Sequence, residues 1–237
     1  LIPGQEVLLD DGKIHLKIVE KAENVTENGG ENTQEKRYFA KVLWGGLLKS
    51  RKSAALPGAK IYPPTLTNSD LANIKIAKEM GVTGVMQPFV RDHSDLERVK
   101  EALREAGAED IRLFAKIENM DGVRKLEKLL PAADEIVIAR GDLGNAVHLW
   151  DLPGVQRQIS EKCRAAGKPF MVVTQMLSSM ERSPVPTRAE VNDIFHAVMD
   201  GAASIMVTGE TAVGDYPVEV IRYMVNTVRS AEKEENR

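Results

Sequence analysis

Apolar residues follow two rhythms along the chain. Over residues 6–19 they alternate: Val7 and Leu9, then Ile14, Leu16 and Ile18, with Asp11-Gly12 between the runs. Period-two alternation around an Asp-Gly pair predicts a β-hairpin, because that pair suits the turn conformations hairpins favour. Residues 21–37, KAENVTENGGENTQEKR, are nearly free of apolar side chains and read as a solvated hairpin tip or flexible loop. Strand character returns at YFAKVLW, residues 38–44. GGLLKSRKSAALPG then forms a glycine- and proline-punctuated exit.

From Thr67 the spacing becomes helical. Thr67 and Asp70 form a capping-box pattern, and Leu71, Ile74 and Ala77 follow on one face. Gly81 ends this helix, and VTGVMQPFV (82–90) reads as a strand. Ser94 with Glu97 opens a second helix whose stripe is Leu96, Val99, Leu103 and Ala106, stopped by Gly107. IRLFAKI (111–117) is the next strand, followed by a helix around Val123, Leu126 and Leu130 and a strand at 135–139. A helix from about Val155 to Ala166 stops at Gly167, and PFMVVT (169–174) is a strand. Thr187 and Glu190 make another capping box ahead of Val191, Ile194 and Val198. ASIMV (203–207) is the last strand, and a final helix runs from about Pro217.

This βα alternation has about five short, largely apolar strands, as expected of a parallel sheet buried on both faces. An open doubly wound sheet and a (β/α) barrel both fit. No G-x-G-x-x-G follows a first strand, which removes the main support for a dinucleotide fold.

Composition narrows the function class. The 237 residues carry 32 basic and 35 acidic side chains, intermingled, for a net charge of -3. That balance gives no general attraction to nucleic acid or an anionic membrane, and 5% aromatics disfavour a base-stacking surface. No apolar run reaches the roughly 20 residues needed to span a bilayer, and no signal peptide is visible, so the expected location is cytoplasmic. Cys163 is the single cysteine and falls on one helical face with Val155 and Ile159, which predicts a core position. No Cys/His cluster has zinc spacing. Asn24-Val25-Thr26 matches a glycosylation sequon, though nothing else suggests secretion. The four histidines share no motif. Because residue 1 is leucine, the chain reads as a fragment or trimmed product.

Chemistry-bearing residues collect where the strands end. Strand 82–90 ends at Arg91, and strand 111–117 at Lys116 and Glu118. Strand 135–139 ends at Arg140-Gly141-Asp142, strand 169–174 at Thr174-Gln175, and strand 203–207 at Thr208 and Glu210. In parallel α/β folds, active sites gather at this edge. Lys116 and Glu118 are two apart and share a strand face. Glu118 and Asp142, from neighbouring strand ends, suit one hard cation such as Mg²⁺ or Mn²⁺ completed by water and substrate oxygens. Gly141 exposes backbone amides able to receive a carboxylate or phosphate. The alternative is an interior Lys116–Glu118 ion pair, with Asp142 as a helix cap.

KIENMDGVRKLEKLL, EIVIARGDLGN, KPFMVVTQMLSSMERSPVPTRAEVNDIFHAVMDGA and IMVTGETAVGDYPVEVIRYM together closely resemble the pyruvate kinase family. IPGQEVLLDDGKIHLKIVE and GGLLKSRKSAALPG resemble that family's small β domain and its exit. The resemblance runs through essentially the whole chain, in order. It implies an α/β fold, a partial (β/α)8 TIM-type barrel with part of an inserted small β domain. Residues 1–58 would be part of the small β (lid) domain and its exit, and residues 59–237 the C-terminal portion of the barrel. The implied activity is glycolytic phosphoryl transfer from phosphoenolpyruvate to ADP, giving pyruvate and ATP, with Mg²⁺ or Mn²⁺ and possible K⁺, in a homo-oligomer. Carried onto matching positions, Lys116 would stabilise the transferring phosphoryl group and the enolate oxygen. Glu118 and Asp142 would hold the metal. The amides of Gly141 and Asp142 would bind the substrate carboxylate, Thr174 would lie where the enolate is protonated, and Lys52 would meet nucleotide phosphates.

The chain also departs from the family pattern. It starts inside the small domain, without the first three barrel strands and their phosphate-gripping arginine and K⁺ ligands, and stops after the last barrel helix. Pro88 stands where the family usually has a serine near the K⁺ site, Val213 where it has a lysine, and Ala55 where it has an asparagine. These 237 residues alone are therefore expected to have little kinase activity. Two other readings stay open: a Mg²⁺-dependent pyruvate-enolate lyase or aldolase, and a non-catalytic truncated barrel.

Overall fold

The computed structural model describes residues 1–10, 12–22, 36–50, 52–59 and 61–235. The chain divides into two compact units, Leu1–Tyr62 and Pro63–Arg237.

The first unit is a four-stranded antiparallel sheet. Its strands are β1 (Glu6–Leu9), β2 (Ile14–Lys21), β3 (Tyr38–Trp44) and β4 (Ala54–Ala55), in the order β3-β2-β1-β4. The expected hairpin is present: Leu9 pairs with Ile14, Val7 with Leu16. Asp10 and Gly12 both take positive φ in its turn, and the Lys13 amide donates to the Asp10 carbonyl at 3.1 Å. Alternation puts Val7, Ile14 and Ile18 in a small apolar core. The sequon at Asn24 and most of the polar segment 21–37 lie outside the described residues.

The second unit is a βα series. In chain order it contains α1 (Asn68–Ala77), β5 (Gly84–Gln87), α2 (His93–Glu105), β6 (Arg112–Ile117), α3 (Met120–Arg124) and α4 (Leu126–Leu129). There follow β7 (Glu135–Ala139), α5 (Arg140–Ala146), α6 (Leu152–Ala165), β8 (Phe170–Val173), α7 (Arg188–Met199), β9 (Ser204–Met206), α8 (Gly209–Ala212) and α9 (Pro217–Glu235). The five strands form one parallel sheet in sequential order, β5-β6-β7-β8-β9.

The two sheet faces differ. Leu113, Ala115, Ile117, Ile136, Ile138, Phe170 and Val172 share one large core with apolar residues of the helices, among them Leu96, Leu103, Leu126, Leu143, Ile159, Ile194 and Val220. Val137, Ala139 and Val173 point the other way, and among the described residues their apolar neighbours are Phe114, Met171 and Met206, all on strands. Helices therefore cover one face. A doubly wound sheet has a strand-order reversal and a helix layer on each side; among the described residues this sheet has neither. The expectation of burial on both faces is only partly met, because Phe114 and Lys116 on the helix-free face stay half-exposed.

Local signals explain the boundaries. Thr67 and Thr187 both cap their helices reciprocally with Asp70 and Glu190, as the spacing predicts. The second helix begins two residues earlier than expected. Asp92 is its cap, and Ser94 serves Asp92 by donating its amide (3.0 Å) and hydroxyl (2.6 Å) to that carboxylate. Strand 82–90 shortens to Gly84–Gln87 because Pro88 has no N–H for a ladder and Phe89 takes φ +51°. The helix expected around Val123–Leu130 is two short segments interrupted at Lys125. Cys163 is fully buried, and desolvation pushes its thiol up to about 12. Among the described residues, no helix is long and apolar enough to cross a membrane.

Candidate active site

Parallel register brings the strand ends to one edge. Ile117 pairs with Ile138, Ala139 with Val173, and Val173 with Met206. The residues that follow are Glu118 after β6, Arg140–Asp142 after β7, Thr174–Gln175 after β8 and Thr208 after β9. They leave adjacent strands at the C-terminal edge.

Lys116 and Glu118 stand at the end of β6. Lys116 Nζ lies 2.8 Å from Glu118 Oε1; the lysine side chain is 25% exposed and the glutamate 2%. Glu118 Oε2 accepts the Phe89 amide at 2.7 Å. Phe89 reaches it by taking the left-handed conformation that ends β5. A buried carboxylate needs such partners, since an isolated charge at this depth would be strongly unfavourable. Each oxygen makes one of these contacts and keeps a further lone-pair direction.

One strand over, β7 runs directly into α5 with no intervening loop. No side chain caps the first turn of α5. Gly141 and Asp142 lie in that turn, both half-buried. A Cβ on Gly141 would meet Thr174 Cγ2 at 3.0 Å and Oγ1 at 3.7 Å, so Thr174 packs on the Gly141 backbone. Glycine is required here for that close approach. Gly141, Asp142 and Thr174 are thus brought together, and Lys116–Glu118 stands on the strand beside them. Among the described residues no cluster of three or more His, Cys, Asp or Glu side chains is arranged to hold a metal. Glu118 and Asp142 follow adjacent strands and each offers hard carboxylate oxygens. That chemistry fits a divalent cation that retains water and substrate ligands.

Other strand-end residues serve the scaffold. Arg91 lies four residues past the end of β5 and grips Asp95 through its amide (2.9 Å), Nε (3.1 Å) and Nη2 (2.7 Å). Burial alone would raise the Asp95 carboxyl, but hydrogen bonds from Arg91 and Thr65 outweigh it and hold the group at about 2. Glu210 is buried and organises two loops, accepting the Leu177 amide at 3.2 Å and the Thr208 amide at 2.8 Å. Lys52 belongs to the first unit, where its Nζ lies 2.8 Å from Asp10 Oδ1. The hydrogen bond from Lys52 lowers the Asp10 carboxyl.

Sequence reasoning gave no role to Arg140 or Asp193. Arg140 Nη1 meets both Asp193 oxygens, at 2.9 and 2.7 Å. The two are 53 residues apart, on a strand end and a later helix, and no local pattern marks Asp193. Phe89 was equally silent, being an apolar residue whose contribution is a backbone N–H.

Comparison with known proteins identifies the family. A family model described as "Pyruvate kinase, barrel domain" matches residues 1–221. The chain is 38% identical over 230 residues to a pyruvate kinase of Bacillus licheniformis, covering 97% of this chain and 38% of that protein. It is 40% identical over 221 residues to one of Geobacillus stearothermophilus (93% and 36%) and 36% identical over 233 residues to one of Candida albicans (98% and 44%). The chain therefore spans between about a third and a half of the length of these relatives. It belongs to the pyruvate kinase family.

Proposed function

We propose that the chain contributes the strand-end half of a site that transfers the phosphoryl group of phosphoenolpyruvate to ADP, giving pyruvate and ATP. The observation that carries this reading is the half-buried Lys116 held against Glu118, beside Gly141, Asp142 and Thr174. Phosphoryl transfer asks the protein chiefly for positioning and charge neutralisation. Lys116 would place its ammonium against the transferring phosphoryl group and the enolate oxygen left behind. Glu118 keeps that ammonium on the site and, with Asp142, would hold Mg²⁺ or Mn²⁺. Such a cation supplies positive charge to phosphoryl and enolate oxygens. The first-turn amides of α5 at Gly141 and Asp142 would receive the substrate carboxylate. Thr174, packed on Gly141, would stand at the carbon where the enolate is protonated.

The five strands are read as an arc of a (β/α)8 barrel, supported by their sequential order and single helix layer. Residues 1–58, within the antiparallel unit Leu1–Tyr62, are read as part of a lid domain and its exit. Lys52 would contact nucleotide phosphate by exchanging Asp10 for a phosphate oxygen. Pro88 offers only a carbonyl, which already accepts from Gln87 Nε2 at 3.2 Å, so this position lends K⁺ dependence no support. A cytoplasmic location and a homo-oligomeric state go with the reading, with family membership as their support.

The test is ADP-dependent pyruvate formation by the complete protein, comparing wild type with Lys116→Met. The expected result is a kcat at least about 1,000-fold lower, since the lysine acts where charge develops. Retention of wild-type turnover would contradict the assignment. ADP-independent release of pyruvate from oxaloacetate would move the chain to the enolate-lyase class.

A further inference from the structure

We propose that Arg140 is a positioning residue for Thr174, setting that side chain against the substrate site through the backbone carbonyls at the end of β8. The inference rests on the phosphoryl-transfer reading for its catalytic consequence, and on geometry alone for its structural one.

The starting observation is conformational. Thr174 and Gln175 are consecutive non-glycine residues with positive φ, +79° and +56°. A β-branched residue is a genuine outlier there, because its Cβ is driven against its own backbone, and such a conformation persists only where surrounding groups hold it. Arg140 supplies the hold. Its Nε donates to the Val173 carbonyl at 3.3 Å and the Thr174 carbonyl at 3.2 Å, and Nη2 donates to the same Thr174 carbonyl at 2.7 Å. The other arm of the guanidinium is fixed by the Asp193 carboxylate on α7. A planar fork can serve a carboxylate and two carbonyls at once; a lysine ammonium cannot reproduce it.

Arg140 also immediately precedes Gly141 and Asp142. One residue therefore begins the turn proposed to receive the substrate carboxylate and, through its side chain, holds the backbone carbonyl of the threonine proposed to face the enolate. This bridge ties the residue after β7 to the carbonyls at the end of β8. Arg140 Nη2 also donates to Met176 Sδ at 2.7 Å, but the fold does not depend on the bridge in the same way: Val173 before the kink and Leu177 after it are buried in the apolar core and anchor the chain on both sides. Loss of Arg140 should free residues 174–175 and leave the sheet in place.

The experiment uses the complete protein with Arg140→Gln, Arg140→Lys, Asp193→Asn and Thr174→Val. Amide hydrogen exchange is followed in the peptide spanning residues 173–177 and in β6 and β7. Exchange of pyruvate methyl hydrogens with deuterated solvent reads enolate protonation, with kcat and KM separated. Mn²⁺ affinity in the presence of oxalate reads the carboxylate site.

Both Arg140 variants should show amide exchange at 173–177 at least about tenfold faster, with β6 and β7 unchanged. Their kcat for methyl exchange should fall about 100-fold, while KM and Mn²⁺–oxalate affinity stay within about threefold. Lysine should not rescue, Asp193→Asn should cost less than either, and Arg140→Gln combined with Thr174→Val should be no worse than the worse single variant. Unchanged amide exchange at 173–177, multiplying Arg140 and Thr174 effects, or an equal loss of Mn²⁺–oxalate affinity would each overturn the proposal. Failure of the wild type itself to bind Mn²⁺ with oxalate would sink the phosphoryl-transfer reading; the amide-exchange result would still decide whether Arg140 holds Thr174.

Discussion

Glu118→Gln separates the two roles of the Lys116–Glu118 pair. In the wild type the carboxylate lies 2.8 Å from the lysine ammonium and 2.7 Å from the Phe89 amide. The amide side chain keeps an acceptor for Phe89 but loses its charge against Lys116. Breaking a fully buried pair costs about 3–5 kcal/mol. Lys116 is 25% exposed and regains some water, so we expect about 2 kcal/mol, a fall in Tm of about 4–8 °C. Metal affinity should respond far more, because one of two carboxylates is gone: about 100-fold, or about 3 kcal/mol. A thermal melt with and without Mn²⁺ reads both effects at once. At a concentration 100 times Kd, Mn²⁺ should stabilise the wild type by about 2.7 kcal/mol, and at that same concentration the variant should gain about 0.4 kcal/mol. Lys116→Met provides the complementary control. It leaves Glu118 buried with only the Phe89 amide, so the metal-free protein should melt lower and recover on adding Mn²⁺. Equal stabilisation of wild type and Glu118→Gln by Mn²⁺ would refute the reasoning and leave Lys116–Glu118 as an interior ion pair.

Two further outcomes follow from the geometry. Gly141→Ala would place a Cβ 3.0 Å from Thr174 Cγ2. The Thr174 carbonyl is held by Arg140, so the threonine can yield only by a few tenths of an ångström. Stability should fall by about 1 kcal/mol and kcat by about 100-fold, measured by melting and by steady-state kinetics; an unchanged kcat would show that Thr174 need not sit against residue 141. Asp95 predicts an acid effect. Its carboxyl is lowered from 3.8 to about 2 in the fold, so the charged form contributes about 2 kcal/mol that is complete above pH about 4 and lost as pH falls through about 2. The stability gap between wild type and Asp95→Asn in urea should therefore shrink between pH 5 and pH 2; a constant gap would contradict the assignment.

How far the sequence could be read depended on whether a feature is local. Strands Tyr38–Trp44 and Glu135–Ala139 stand where the pattern places them, because unbroken apolar or alternating runs leave little choice of period. Both Thr capping boxes are reciprocal contacts within four residues, so spacing alone identifies them. Errors arose where two local rules competed. Ser94 has a good cap pattern with Glu97, but Asp92 lies two residues earlier with a stronger acceptor and takes the role. Strand 82–90 is apolar throughout, yet Pro88 and the positive φ of Phe89 end its ladder at Gln87. The candidate site was legible as a set of strand ends, and the two-residue spacing put Lys116 and Glu118 on one face; the ion pair they form is the one raised as the alternative to a metal site. Arg140–Asp193 and the Phe89 amide on Glu118 were not legible, because both depend on segments meeting after the sheet has formed.

The account stands most directly on whether Glu118 and Asp142 hold one cation facing an enolate. The deciding measurement is Mn²⁺ binding to the protein with and without oxalate, which mimics the enolate, in wild type and Asp142→Asn. The account predicts that oxalate tightens Mn²⁺ binding in the wild type and that both the affinity and the enhancement are lost in the variant. Binding of Mn²⁺ that ignores oxalate, or that survives Asp142→Asn, would contradict it.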